Sequence, residues 1–123
     1  MATVGGYAAV LKYTIAVGLA RAGNDSLVLA HRLRHLGDAY RRLGRAALAE
    51  PCYREALSIY RQHQGAKLLD VANALRGFAI LEERVGARDE SRRLWQEAHD
   101  LYVRLDVPAG VAESAARLAR LRS

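Results

Sequence analysis

An internal repeat constrains the fold of this chain more than any other feature of its sequence. The pattern of residues 33–60, LRHLGDAYRRLGRAALAEPCYREALSIY, returns in residues 75–102, at a shift of 42. The conserved types are large apolar, tiny, helix-ending glycine and aromatic, at Leu33, Leu36, Gly37, Gly44, Tyr53, Ala56 and Tyr60 and again at Leu75, Phe78, Ala79, Gly86, Trp95, Ala98 and Tyr102. A fixed period of this length is typical of helical arrays whose repeats pack on their neighbours.

Both flanks of the repeat carry partial copies. Ala9, Tyr13 and Ala16 match Ala49, Tyr53 and Ala56 at a shift of 40, and 111–121 matches the first helix of the second repeat at the same shift. The sequence therefore predicts an all-α protein of about six antiparallel helices in one domain spanning 1–123. Its parts are a half-repeat at 7–22, repeats at 27–63 and 68–105, and a half-repeat at 111–121.

The ends of the helices are marked by residues with known positional preferences. We expect helices at 7–22, 27–43, 46–62, 68–85, 89–105 and 111–121. Gly44 and Gly86 follow two of them and are predicted to adopt the left-handed conformation that ends a helix. Asp25 or Ser26 supplies an N-cap for the second helix, and Asp70 is an alternative N-cap for the fourth. Residues 106–110 are expected to be a non-helical break between the fifth and sixth helices.

Charge and cysteine content indicate which partners and which cellular compartment suit the chain. The net charge is +6 and the basic residues are almost all arginine, which favours acidic partners or simply coats solvated helix faces. The single cysteine, Cys52, cannot form an intrachain disulfide. It suits a reducing, cytoplasmic compartment, or at least does not need an oxidising one. The apolar start contains Ala20-Arg21-Ala22, similar to a signal cleavage site. It lacks a basic leading region and Lys12 interrupts it, so we interpret it as a domain helix and predict no membrane segment.

No arrangement of residues predicts catalysis. No serine has a histidine and an acid at supporting spacing, no glycine-rich phosphate loop is present, and Cys52 has no obvious activating partner. His31, His35 and Asp38 share one helix face at spacings that could hold zinc or nickel, but a single helix seldom completes a site. We predict a non-enzymatic protein with no cofactor and no metal.

The stretch 33–60 resembles the tetratricopeptide repeat. Its leucine, glycine, tyrosine and alanine signature is carried by Leu33, Gly37, Tyr40, Ala49, Tyr53 and Ala56. The simple repeat has about 34 residues, and the longer spacing here is similar to the kinesin light chain type, as are AEPCYREALSIYRQ at 49–62 and LLDVANALRGFA at 68–79. Paired asparagines common on the inner face of that type are replaced by Arg34-His35 and Arg76-Gly77.

The resemblance implies a right-handed α-α superhelix that binds a peptide or partner protein. In such a fold the first helices line a concave groove and the second helices form the convex back. The groove residues this projection predicts are His31, Arg34, His35, Asp38, Arg41, Asn73, Arg76, Ile80, Glu83, Arg117 and Arg120, with Glu113 beside them. Arginines there suit a carboxylate-bearing, acidic segment, unless Asp38 and Glu83 already neutralise them within the helices.

Two alternatives stay open, and the first concerns the terminal half-repeats, which lack partner helices. Helical spacing predicts one packed face on the first helix, made of Ala9, Tyr13, Ala16, Val17, Leu19 and Ala20. Tyr13, Ile15, Val17 and Leu19 also look too apolar for a terminal cap. This pattern predicts a homo-dimer through exposed terminal helices, with the first helix of one copy covering an exposed face of another.

Nucleic-acid binding through the arginine-rich surface is the lesser alternative. The basic balance of the chain would attract phosphates, but no recognised nucleic-acid-binding motif accompanies it. The sequence therefore favours a protein or peptide partner.

Overall fold

The described residues fold into helices joined by short turns. A computed structural model of the chain describes residues 4–122, with side chains from residue 6 onward, and no strand occurs in that range. The helices are α1 (Val4–Ala22), α2 (Ser26–Arg42), α3 (Ala46–Gln62), α4 (Leu68–Arg84), α5 (Arg88–Leu105) and α6 (Pro108–Arg122). The predicted fold class of six helices is confirmed, and the starts of α2 and α3 recur at α4 and α5 with the shift that the sequence repeat has.

Most predicted boundaries agree with the structure to within one residue, and the two terminal helices are longer than expected. α1 begins at Val4 rather than 7, and α6 begins at Pro108, inside the segment expected to be a break. Proline is favoured at the first helical position because its missing amide has no partner there anyway. The break itself is confined to Asp106, the left-handed C-cap of α5, and Val107.

The caps decide between the alternatives that the sequence leaves open. Asp25 is the N-cap of α2, because its side chain accepts hydrogen bonds from the amides of Leu27 and Val28. Asp70 is not a cap: it lies in the first turn of α4, where its charge favours the positive end of the helix dipole. Gly44 and Gly86 have φ values of 74° and 87°, so the predicted left-handed ends are confirmed.

The described chain divides between residues 66 and 67 into two compact units. In the first unit α1 packs on α2 and α2 packs on α3, and in the second α4 packs on α5 and α5 packs on α6. The two predicted repeats correspond to the pairs α2–α3 and α4–α5. One domain spanning 1–123, and a right-handed superhelix, stay predictions.

Small residues let the helices of each pair approach closely. A Cβ built on Gly37 would lie 3.1 Å from the ring of Tyr53, so this ring rests directly on the α2 backbone. In the second pair the carbonyl of Ala79 accepts a hydrogen bond of 2.8 Å from the buried Ser91 hydroxyl of α5. The predicted pairing of a tiny with a large residue is therefore seen in the first pair, and in the second pair small residues allow a direct hydrogen bond between the helices.

Candidate functional site

Five predicted groove residues of the first unit follow one another along α2, but the structure places them in two environments. His31, Arg34 and His35 are half-buried, whereas Asp38 and Arg41 are buried. We refer to His31, Arg34 and His35 as the α2 site. Asp25 fixes the start of the helix and residues three and four positions apart share a side of it, so the three side chains meet.

The two histidines form a close pair at the contact between α1 and α2. The Nε2 atoms of His31 and His35 lie 3.2 Å apart, and the ring of Tyr13 from α1 stacks on His35 with centroids separated by 5.2 Å. Burial lowers the pKa of His35 to about 4, and the neighbouring Arg34 and His31 act in the same direction. This imidazole is therefore neutral at physiological pH and can accept a hydrogen bond.

Arg34 has N–H donors whose hydrogen bonds to neighbouring residues are long or absent. One terminal nitrogen lies 3.4 Å from Asp38 Oδ2 and another lies 3.4 Å from His35 Nε2, both near the outer limit for a hydrogen bond. Its Nε is buried and has no hydrogen-bond partner among the described residues. A guanidinium offers five N–H donors in a planar fork that matches a carboxylate. Arg34 therefore has capacity for an additional acceptor.

Asp38 and Arg41 belong instead to a buried network with Tyr53. The phenol of Tyr53 donates a hydrogen bond to Asp38 Oδ1, and Arg41 Nε donates to the phenol oxygen at 3.0 Å. Burial raises the pKa of Tyr53 above its ordinary value, and the negative charge of Asp38 adds to the shift. A contact of 3.5 Å between Arg41 and Asp38 closes the network. These two predicted groove residues thus fill the interior of the α2–α3 pair.

In the second unit the predicted arginines are engaged by acids of the same unit. Arg76 donates to both carboxylate oxygens of Glu113, with Nη2 at 3.1 Å from Oε2. Asn73 accepts a hydrogen bond of 2.7 Å from the hydroxyl of Tyr102. Glu113 thereby takes the place on the guanidinium of Arg76 that an external carboxylate would otherwise occupy.

Glu83 forms ion pairs with the other two predicted arginines of the second unit, Arg117 and Arg120. It pairs with Arg117 at 3.3 Å and also with Arg120, so it joins α4 to α6. Arg117 also lies over the ring of Trp95, 5.5 Å from its centroid. Ile80 is buried and does not face solvent. The neutralisation that the sequence allows within one helix is therefore made between helices here.

An open groove of about 320 Å³ lies between α1 and α2, away from the α2 site. Its walls include Ala16, Leu19, Val28 and Arg32. Of the four residues of α1 that look too apolar for a cap, Val17 is buried and Tyr13 stacks on His35, whereas Ile15 and Leu19 are exposed. The prediction that Leu19 shares the packed face of α1 is wrong.

Other candidate chemistries have little support in the part of the chain that is described. Cys52 is buried, burial raises its pKa to about 11, and its Sγ donates to the carbonyl of Leu48. Between residues 4 and 122 no group of three or more metal-binding side chains converges. Within the same range no helix is long and apolar enough to cross a membrane.

Sequence reasoning missed two features of this surface. It did not distinguish Arg34, which has an unused donor, from the equivalent Arg76. The difference arises because Glu113 binds Arg76, and sequence spacing does not show this contact. It also missed that Tyr7 and Leu11 are exposed alongside Ile15 and Leu19. Their spacing of four along the helix was the available signal.

Comparison with known proteins agrees with the helix pattern. A search of curated proteins returned no match. The family model described as tetratricopeptide repeat matches residues 27–103, which covers the pairs α2–α3 and α4–α5 almost completely. Repeats of this kind generally mediate protein–protein interactions. With its helix pair repeated at a fixed shift and tiny residues against aromatic rings, this chain belongs to the tetratricopeptide repeat family.

Proposed function

We propose that the chain is a non-enzymatic interaction module that binds a carboxylate-bearing segment of a partner protein or peptide at the α2 site. The observation that carries this proposal is the unfilled guanidinium of Arg34, with two contacts of 3.4 Å and a buried Nε without a partner among the described residues. Hydrogen bonds as long as 3.4 Å are weak. A carboxylate bound at the two terminal nitrogens would replace these contacts with shorter, charge-assisted hydrogen bonds.

The surroundings of Arg34 favour an acidic peptide over other ligands. The net charge of +6 attracts acidic segments from a distance. His35 is neutral and stacked on Tyr13, which leaves a flat aromatic edge beside the cation. A peptide that places an acidic side chain on Arg34 could lay an apolar neighbour against this edge. The proposal includes a cytoplasmic location, which suits a chain whose single cysteine forms no intrachain disulfide.

The other predicted groove residues enter this proposal as surroundings. Asn73, Arg76, Glu83, Arg117 and Arg120 already have partners in the second unit. A ligand that used them would first have to displace Glu113 or the Tyr102 hydroxyl. We therefore expect the α2 site to contribute most of the binding free energy.

The repeat supplies a matched control for the test. Arg34 and Arg76 occupy equivalent positions of the two repeats, but Glu113 engages only Arg76. We would measure binding of a synthetic library of acidic peptides, and of its Asn/Gln counterpart, to the wild type, Arg34→Gln and Arg76→Gln. Loss of one charged hydrogen-bonding group costs about 1.5–3 kcal/mol, or at least roughly tenfold in affinity. We expect that loss for Arg34→Gln and little change for Arg76→Gln.

Three results would contradict the proposal: no binding by the wild type, equal losses in both variants, or equal binding of the uncharged library. Nucleic-acid binding would show instead as affinity for oligonucleotides that falls steeply with salt. The assays on peptides and oligonucleotides therefore separate the two partner classes.

Self-association is a second candidate function, favoured by a specific observation. Tyr7, Leu11, Ile15 and Leu19 lie on α1, and each is more than half exposed. Large apolar side chains exposed together on one helix mark an interaction surface more often than scattered ones do. A homo-dimer through a terminal helix would cover them.

A further inference from the structure

The outer side of α1 is apolar along most of its length. Tyr7, Leu11, Ile15 and Leu19 follow one another at intervals of four and are 53%, 62%, 55% and 71% exposed. We call these four residues the α1 outer face. Residues four apart lie on the same side of a helix, and the exposed residues between them on this side are small: Ala8, Gly18 and Ala22. α1 is thus apolar on its outer side as well as on the side that packs on α2.

A neighbouring repeat would not cover the α1 outer face. The repeat register aligns Tyr13 with Trp95 at a shift of 82, the sum of the shifts of 40 and 42. Tyr7, Leu11 and Ile15 then correspond to Asp89, Arg93 and Glu97 of α5, and all three are exposed. Leu19, which also borders the groove between α1 and α2, corresponds to the partly exposed Leu101.

α5 packs on helices on both of its sides, α4 and α6, and still leaves those three positions in water. They are charged there, as the outward side of a helix in solvent normally is. Tyr7, Leu11 and Ile15 are therefore apolar at positions where the equivalent helix of the second unit carries exposed charge.

The charges around the α1 outer face indicate which kind of molecule can cover it. The face itself carries no charged residue, and the cations beside it on α1 are Lys12 and Arg21. Arg21 is already paired with Glu55 at 2.6 Å, and Lys12 lies over the ring of Tyr13. An anionic membrane surface requires a helix with many free cations on its polar side, which α1 lacks. An identical apolar face can be covered by this one without burying an unpaired charge.

We propose that the α1 outer face pairs with the same face of a second copy in an antiparallel, two-fold arrangement. This deepens the self-association candidate proposed above and is independent of peptide binding at the α2 site. Centring the pair between Leu11 and Ile15 sets Leu11 of each copy against Ile15 of the other. Tyr7 then meets Leu19 and the open space around Gly18, where an added Cβ has no neighbour within 4 Å.

The antiparallel direction follows from charge. In a parallel pair the two helix dipoles would be aligned, with like ends side by side, whereas in an antiparallel pair each positive end lies beside the negative end of the partner helix. An interface closed by a two-fold axis stops at two copies and does not grow into fibres.

The size of the face sets the expected strength. Four side chains exposed to this degree present on the order of 400–500 Å² of apolar surface per copy, at the upper end for a monomer. Pairing two copies would bury on the order of 1,000 Å², below the usual size of a stable interface. We therefore expect a reversible dimer with a dissociation constant in the micromolar range.

Disulfide cross-linking tests the arrangement directly. Leu11→Cys and Ile15→Cys would each be made with Cys52→Ser, which removes the natural thiol. Mixing the two variants under mild oxidation should give the mixed dimer in at least about threefold excess over either homodimer, since Leu11 faces Ile15 across the two-fold axis. A predominance of the Leu11–Leu11 product would indicate parallel pairing, and absence of any dimer would remove the interface. Either result overturns the proposal.

Sedimentation equilibrium provides the second test, with a matched control. Ile15→Lys places a charge at the centre of the face and should weaken association at least about tenfold. Val103→Lys changes a side chain of similar exposure, 53%, on α5 and should leave association unchanged. A wild type that stays monomeric at high micromolar concentration, or that binds anionic phosphatidylserine vesicles without self-associating, contradicts the proposal.

Peptide binding is measured on the same variants, so the two ideas fail separately. Ile15→Lys should retain acidic-peptide binding, and Arg34→Gln should retain the dimer. If Arg34→Gln alone abolished association, the interface would lie at the α2 site instead, and the α1 pairing would be wrong.

Discussion

The two helix pairs of the chain share one repeat and differ in what they bury. α2–α3 and α4–α5 have helices of 17 or 18 residues at the same spacing. Where the first pair has Asp38 against Tyr53, the second has Ile80 and Trp95 at the equivalent positions, and all four are buried. The same positions are therefore filled once by a charged network and once by an aliphatic side chain and an indole ring.

In the second pair an acid lies at a different position of the repeat and contacts a different helix. Glu83 occupies the position equivalent to Arg41, but it reaches α6 and binds Arg117 and Arg120. At these equivalent positions the first pair thus keeps Arg41 in its interior, and the second uses Glu83 to bind the following helix. The difference teaches that size and shape define this repeat, while the polar groups at equivalent positions are free to differ.

Removing the large ring of the second pair should give the largest effect. Trp95 is fully buried, so Trp95→Ala leaves a cavity and should lower the free energy of unfolding by about 4 kcal/mol. Urea denaturation measures the loss, and hydrogen exchange should report it mainly in residues 68–122. If residues 4–66 lost as much protection, the two units would unfold as one body and the comparison would have to be made between whole chains.

Removing the acid of the first pair should cost about 3 kcal/mol, because breaking a buried ion pair from one side is costly. Asp38→Ala leaves Arg41 buried and Tyr53 without its acceptor. Glu83→Ala is the comparison, because Glu83 is partly solvated and its loss should cost about 1 kcal/mol or less. Equal losses from the two variants in urea denaturation would show that burying the acid makes no difference.

Local pattern was enough to predict the fold. Helix ends at Gly44 and Gly86 follow from glycine's access to positive φ, and the six helices follow from apolar spacing that both repeats share. Pro108 was the main exception, because a segment rich in breakers also contains the residue best suited to begin a helix.

The candidate site could be predicted only in part. Sequence spacing places His31, Arg34 and His35 together on α2, as the structure does. It could not show that Asp38 is buried, because that depends on the hydroxyl of Tyr53 reaching it from another helix. One signal was available: Asp38 aligns with Ile80, and a position that holds isoleucine in one repeat is a core position in the other.

Exchanging the small residues of the two pairs should have an intermediate effect. Gly37→Ala places a Cβ 3.1 Å from the fully buried ring of Tyr53 and should cost about 1–2 kcal/mol by overpacking. Ala79→Gly removes a buried methyl from the equivalent position and should cost about 1 kcal/mol, mainly through helix propensity. Thermal melting of both variants measures the effects. A stabilising Gly37→Ala would show that the first pair has slack that the second lacks.

Acid should weaken the first unit through His35. Its pKa is about 4 in the folded chain and near 6.5 when unfolded, so the stability it contributes is complete above pH 6.5. Between pH 6.5 and 4 only the unfolded chain takes up the proton, and stability falls. The full shift would correspond to about 3 kcal/mol, and solvent screening of this half-buried ring reduces the expected loss to about 1 kcal/mol.

His35→Gln is the control for this pH dependence. Its stability should fall less between pH 6.5 and 4 than that of the wild type, since the remaining carboxylates titrate in both proteins. The groups that act on the ring are Arg34, His31, Asp38 and Arg32 on α2, and Tyr13 of α1 stacks on it. Parallel curves for the two proteins from urea denaturation at each pH would show that His35 is not the group responsible.

The smallest expected effect concerns the exposed ion pairs that each unit makes between helices. Arg21 binds both oxygens of Glu55 and lowers its pKa by hydrogen bonding, and Arg76 binds Glu113 in the same way. Both pairs are substantially solvated, so Arg21→Gln and Arg76→Gln should each cost only about 0.5 kcal/mol, and less at high salt. A loss above about 2 kcal/mol for Arg76→Gln alone would mean that α6 depends on this pair to stay docked. The second unit would then rely on ion pairs at its end as heavily as the first relies on them in its interior.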